Sequence, residues 1–233
     1  MDNSIPAEHI SLSTEQIKIQ ERLAIVIALI AGYIDATGLI KWKTYVSFMS
    51  GNTTQLGTAI SAGQWAAIIT STTIIGCFVF GIYVGACLSL GKKLPIRNLS
   101  FIMVSGILIL YTIADHYFKI GTVPSIAIIG FSMGLMNTIV TAVGNQRVNT
   151  DFVTGTLNSL ARNTAMLSMT KDITERKQYK ANAMHLLLVW MGFLFGAAAA
   201  PLTLPFLGAW ILTVPALLLL ICSLLISILN FNP

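Results

Sequence analysis

Long apolar runs alternate along the chain with short polar breaks. Six runs stand out, at about residues 23–40, 65–90, 99–118, 122–143, 181–204 and 209–229. A helix rises about 1.5 Å per residue, so roughly 20 apolar residues cross a hydrocarbon core about 30 Å thick. The pattern predicts an all-α polytopic membrane protein with six transmembrane helices. Trp65, Trp190, Trp210, Tyr111, Tyr117 and Phe118 lie at or near run ends, the level where aromatic side chains collect.

Two helix-length segments break this pattern. Residues 45–62 and 150–169 are crowded with Ser, Thr, Asn and Gln, and the second adds Asp151 and Arg162. An unsatisfied polar group facing lipid costs several kcal/mol. Both segments are therefore expected inside protein or along a wet cavity. Ser50-Gly51 and Thr154-Gly155 read as break points, because Gly relaxes the backbone and Ser or Thr caps a following helix. Helix starts near 52–55 and 156–158 then present free N–H groups and a partial positive charge, suited to an anionic or strongly dipolar solute. The candidate substrate-binding residues here are Ser50, Gly51, Asn52, Thr53 and Gln55, with Thr154, Gly155, Thr156 and Asn158. The plainer alternative is that these groups only satisfy one another in a packed bundle.

The two polar segments also match each other, Phe48-Met49-Ser50-Gly51-Asn52 against Phe152-Val153-Thr154-Gly155-Thr156. Upstream, Gly32-Tyr33-Ile34-Asp35 aligns with Gly134-Leu135-Met136-Asn137. Downstream, the segment from Gly81 to Ala86 aligns with that from Gly192 to Ala197. The offsets are 102, 104 and 111, the last jump absorbed by a charged insert around 171–180. Three matches in one order predict two repeats, 22–118 and 119–233, after a mobile tail at 1–21. Ser13 and Gln16 would cap a short helix leading inward.

Asp35 and its counterpart Asn137 join the candidate site, since a carboxylate in lipid is costly and functional by default. Asp35 would carry a proton or bind a cation such as sodium, or else pair with Lys41, Lys43 or Arg162. In the first case Asp35→Asn abolishes coupled transport while folding survives. Arg162 would attract an anionic solute or pair with Asp151 or Asp35. Asp115-His116 reads as an unremarkable wet interface, and His185 as a packed or interfacial histidine. Gly81-x-x-x-Gly85 and Gly192-x-x-x-Gly196 offer faces for packing the halves together or for a homodimer.

Composition narrows the class further. Apolar residues make up 55% and charged residues 10% of the 233 positions, against roughly 25% charged in soluble domains. That excludes a soluble enzyme, a secreted disulfide module and a disordered tail. The net charge of +5 resides in short loops, which points to membrane orientation and anionic lipid and away from nucleic acid. Cys77, Cys87 and Cys222 fall in apolar runs and imply no disulfide framework. Residues 1–22 lack the apolar core of a cleavable signal.

Charge also orients the chain. If both polar segments cross fully, the Lys and Arg residues outside them divide seven to six. If both dip in and return, Lys18, Arg22, Lys92, Lys93, Arg97, Arg147, Lys171, Arg176, Lys177 and Lys180 share one side. Only Lys41, Lys43 and Lys119 then lie on the other. The second arrangement obeys the positive-inside rule, puts both termini in the cytoplasm and inverts one repeat relative to the other. The expected architecture is six spans plus two polar re-entrant or broken helices.

Gly32-Tyr33-Ile34-Asp35 and the stretch Phe48-Met49-Ser50-Gly51-Asn52-Thr53-Thr54-Gln55-Leu56-Gly57 resemble the YoaK-type family of bacterial inner-membrane proteins. Ser50 stands where that family more usually has Thr. Phe152-Val153-Thr154-Gly155-Thr156-Leu157 also looks like a family element, and the resemblance covers about 22–230. It implies a bacterial inner-membrane location and no substrate.

The repeat and the broken helices point to a transporter of a small polar or anionic solute, coupled to a proton or sodium ion. A channel of similar plan is the close alternative. A membrane enzyme is not expected, because His-Glu-x-x-His and Gly-x-Ser-x-Gly are missing and there are only three His. No cofactor is implied. An assembly factor is the remaining class, but the hydrophilic stretches are short for docking.

Overall fold

The computed structural model describes residues 14–90, 96–139 and 153–228. Every element among them is helical: α1 (Thr14–Trp42), α2 (Met49–Ala62), α3 (Trp65–Leu90), α4 (Ile96–Phe118), α5 (Thr122–Met136), α6 (Val153–Met169), α7 (Ile173–Leu207) and α8 (Thr213–Ile228). A 3-10 turn, Gly208–Leu212, joins the last two. Ser13, Lys92, Lys93, Arg147 and Asp151 lie outside the described residues.

Four helical stretches are long and apolar enough to cross a membrane: Gln16–Trp42, Trp65–Leu88, Leu99–Phe118 and Ile173–Ser227. The last has 55 residues, about 80 Å if straight, well over twice a hydrocarbon core. It reverses at Gly208, whose φ of 52° suits a residue without a Cβ. α8 then runs back along α4, where the Ser105 hydroxyl donates to the Ala216 carbonyl at 2.8 Å. The apolar run at 122–143 yields a shorter helix than its length predicts, because α5 ends at Met136 and turns through 137–139. The charged insert at 171–180 is helical from Ile173. Asp172 explains this: its carboxylate accepts the N–H groups of Thr174 at 2.6 Å and Glu175 at 3.2 Å, a standard cap.

Helix directions follow from close contacts. A Cβ added at Gly196 would overlap the Leu29 carbonyl oxygen, and one at Gly192 would sit 2.8 Å from the Ile25 carbonyl oxygen. Further along, the Tyr33 hydroxyl bonds Thr203 at 2.6 Å. α1 and α7 therefore run parallel. Gly130 faces Ile74, Gly134 faces Phe78, and Gly85 faces Thr138, so α3 and α5 are parallel too. The upper end of the bundle is marked by Trp42 edge-on to Tyr111 and by His116 against Trp210. There α1, α4 and α7 finish and α5 and α8 begin. Because α3 is parallel to α5, it also begins there. α1 thus ends at the level where α3 starts, and α2 lies between them.

The core centres on α1 and α5, built from Ile27, Ile30, Ile34, Ile126, Ile129 and Met133, backed by Phe101 and Leu108 of α4 and Ile211. In the span on α1, 67% of the most apolar window is buried, against 22% on α3. α3 is therefore a flank. Within the chain the glycine faces are occupied by neighbouring helices: Gly81 and Gly85 of α3 lie against α5, and Gly192 and Gly196 of α7 lie against α1.

Candidate functional site

Past Trp42 the backbone turns sharply at Lys43, which takes a φ of 57°. The following loop folds back against α1, where Gly38 leaves room for Val46 and the Thr44 carbonyl. Asp35 captures it: one carboxylate oxygen accepts the Val46 N–H at 2.8 Å and the Ser47 N–H at 2.9 Å. Asp35 is 5% exposed. It lies seven residues before Trp42, about 10 Å back along the helix. The chain has thus returned from the upper end by about two helical turns when α2 begins.

Asn52 holds the loop from the other side. It is fully buried; its amide donates to the Tyr45 carbonyl at 2.8 Å, and its oxygen accepts the Thr44 hydroxyl at 3.2 Å. The rings of Tyr45 and Phe48 meet edge-on at 5.4 Å. Phe48 covers Gly51 so closely that a Cβ there would strike its ring. α2 then runs out to Gly63, whose φ of 65° closes the helix, and a turn through Gln64 lays α2 antiparallel on α3.

The expected helix breaks at Ser50-Gly51 and Thr154-Gly155 are not breaks. Ser50-Gly51 lies inside the first turn of α2, which starts at Met49, and Thr154-Gly155 lies within the described helical residues of α6. The residue flanking α2 is Phe48, which offers no side-chain cap. The N–H of Asn52 already bonds the Phe48 carbonyl at 3.2 Å, so free donors fall earlier than 52–55.

Of the two expected surroundings, burial in protein holds for few of the polar side chains. On α2 only Asn52 and Ala59 are buried; Ser50, Thr53, Thr54 and Gln55 are exposed. On α6, Thr156 is buried and Thr154, Asn158 and Arg162 are exposed, with Gly155 intermediate. The hydroxyls avoid the desolvation cost by bonding their own helix. Thr53 donates to the Met49 carbonyl at 2.8 Å and Thr54 to Ser50 at 3.0 Å, and Thr164 and Ser168 do the same on α6.

None of the three predicted charge partners of Asp35 takes that role. Lys41 pairs with Asp115 at 2.9 Å, and Lys43 and Arg162 lie exposed. Asp115, read as a wet interface, ties the ends of α1 and α4 together. Next to it the Tyr111 hydroxyl donates to Ser125 at 2.9 Å, fixing α4 to α5. No local sequence pattern signals the Lys41–Asp115 pair, because its partners are 74 residues apart. Asn137 caps α5, and its side-chain oxygen is buried with no hydrogen-bond partner among the described residues. His185 is buried on α7, as expected. The three cysteines are free.

An apolar all-helical bundle carrying a polar helix folded back onto a buried carboxylate defines a helical membrane protein. Within that class, the family model described as "Protein of unknown function (DUF1275)" matches residues 23–225, and the chain belongs to that family. No curated protein and no solved structure matches it.

Proposed function

We propose that the chain is a transporter of a small polar or anionic solute in the bacterial inner membrane, of the YoaK type suggested by its Gly-Tyr-x-Asp and Ser-Gly-Asn stretches. α1, α3, α4, α5, α7 and α8 are the six spans, α2 and α6 are re-entrant, and the halves are inverted repeats. The N-terminus is cytoplasmic, and the upper end faces outward.

The observation that carries this reading is the capture of the Val46 and Ser47 N–H groups by Asp35. It turns the chain back into the bundle, so that a polar helix starts at depth and returns to the end from which the chain came. Broken or re-entrant helices with polar starts recur at transporter binding sites. The outward ridge of Ser50, Thr53 and Gln55 borders the solute path, with Thr154, Asn158 and Arg162 on the counterpart helix.

Reciprocal contacts support the repeat. Gly32 approaches the Phe193 carbonyl, and Gly134 approaches that of Phe78. Gly196 meets Leu29 and Tyr33, and Gly81 meets Phe131 and Leu135. Each α1 residue plus 102 gives its α5 counterpart, and each α3 residue plus 115 gives its α7 counterpart. The offset of 111 read from Gly81 and Gly192 is therefore one helical turn short; Gly81 corresponds to Gly196. With the ends arranged this way, Lys41, Lys43 and Lys119 lie together at the upper end, opposite Lys18, Lys171, Arg176, Lys177 and Lys180.

Single cysteines at 41–43 and at 62–64, labelled in intact cells with an impermeant maleimide, are expected to react from the same, outer side. Labelling from opposite sides means that α2 crosses, and ends this reading. Saturable uptake into vesicles, driven by a proton or sodium gradient, separates a carrier from a channel.

A further inference from the structure

The start of α7 changes character along one face. Ile173, Arg176, Lys177, Lys180, Met184, Leu187 and Leu188 fall on a single stripe at helical spacing, and all are exposed. The buried side chains His185, Leu186 and Val189 lie on the opposite face. From Met184 onward the exposed stripe is apolar and suits lipid chains. Directly below, on the same stripe, it is cationic. Arg176 and Lys180 are four residues apart, about 6 Å along the axis, which is the depth of a headgroup layer on one side of a bilayer.

The nearby acids only partly offset these cations. Asp172 caps α7 and Glu175 accepts the Thr170 hydroxyl at 2.7 Å, which leaves four cations between 171 and 180 against two carboxylates. Among the described residues, none of Lys171, Arg176, Lys177 and Lys180 pairs with a carboxylate. At the corner between α6 and α7, Met169 and Ile173 are 79% and 72% exposed beside Lys171. Such apolar side chains fit the interface between headgroups and chains.

We propose that this corner binds an anionic phospholipid of the adjacent leaflet. The phosphate lies against Arg176, Lys177 and Lys180, and the acyl chains lie along Met184, Leu187 and Leu188. Cations near an anionic surface strengthen attachment by roughly fivefold each. The site requires only that α7 crosses the bilayer, so it stands even where transport is not found.

The test uses the full chain in nanodiscs of phosphatidylcholine with phosphatidylglycerol, with bound lipid counted by native mass spectrometry. The wild-type chain is expected to retain phosphatidylglycerol in preference to phosphatidylcholine. The triple variant Arg176→Gln, Lys177→Gln, Lys180→Gln should lose that preference by more than about tenfold. Lys119→Gln, at the other end, should not change it. Should the triple variant fail to fold, Lys177→Gln alone carries the test, with about a fivefold loss expected. An unchanged preference in the neutralised variant overturns the proposal. So does displacement of the lipid by millimolar inorganic phosphate, which would mark a site for free anions, and so does a loss of equal size in Lys119→Gln.

Discussion

Asp35 shows how a residue's type and its task separate. A carboxylate in an apolar helix was legible as exceptional, and as costly, from its position alone. Its actual partners are two backbone N–H groups eleven and twelve residues on. No side-chain pattern announces backbone donors, since every residue except proline has one. The contact predicts an ordering of variants. Asp35→Asn keeps an acceptor oxygen and should cost about 1 kcal/mol, whereas Asp35→Ala leaves two buried donors unpaired at about 1–3 kcal/mol each. Thermal unfolding in detergent checks the order, and equal losses would remove the loop-holding role. If transport survives Asp35→Asn, this carboxylate carries no coupling proton.

Among elements, glycine placement decides which helices touch. Gly134 faces the Phe78 backbone so closely that any Cβ overlaps it, while Gly57 on α2 meets nothing within 4 Å. Gly134→Leu should force α3 from α5 and cost about 3 kcal/mol or more. Gly57→Ala should be neutral or stabilise by up to about 1 kcal/mol, because it only removes backbone freedom from a helix. Melting temperatures of the pair test this, and a destabilised Gly57→Ala would reveal a neighbour at that open position. Both glycines look alike in the sequence. The spacing of Gly81 with Gly85 and of Gly192 with Gly196 did signal close packing, but in the repeat proposed above Gly81 corresponds to Gly196, four residues from the match read in the sequence. In a helix a four-residue slip keeps the same face, so face-based matching cannot detect it.

At the level of the whole molecule, the halves are interleaved: α1 packs on α7 and α3 on α5. Neither half owns a complete core, because Ile34 and Met133 share one cluster with Phe101 and Ile211. Residues 1–118 expressed alone should therefore be degraded or aggregate, and co-expression with 119–233 should restore a membrane-inserted complex. Pulse-chase and co-purification measure this; a stable, separately folded first half would contradict the interleaving.

Helix class, the position of most apolar runs and the two unusual polar helices were settled by the chain's own pattern. Hydrophobic segments of this length have few other places to go, and a polar helix among them stands out. Direction, depth and partnership were decided only in the fold. The return of the chain at Lys43, the tie between Lys41 and Asp115, and the exposure of Thr53 and Arg162 all depend on where distant segments meet. The hydroxyls of α2 and α6 make the point physically: bonded to their own helix carbonyls, they are satisfied without another element, so their polarity alone did not fix what they face.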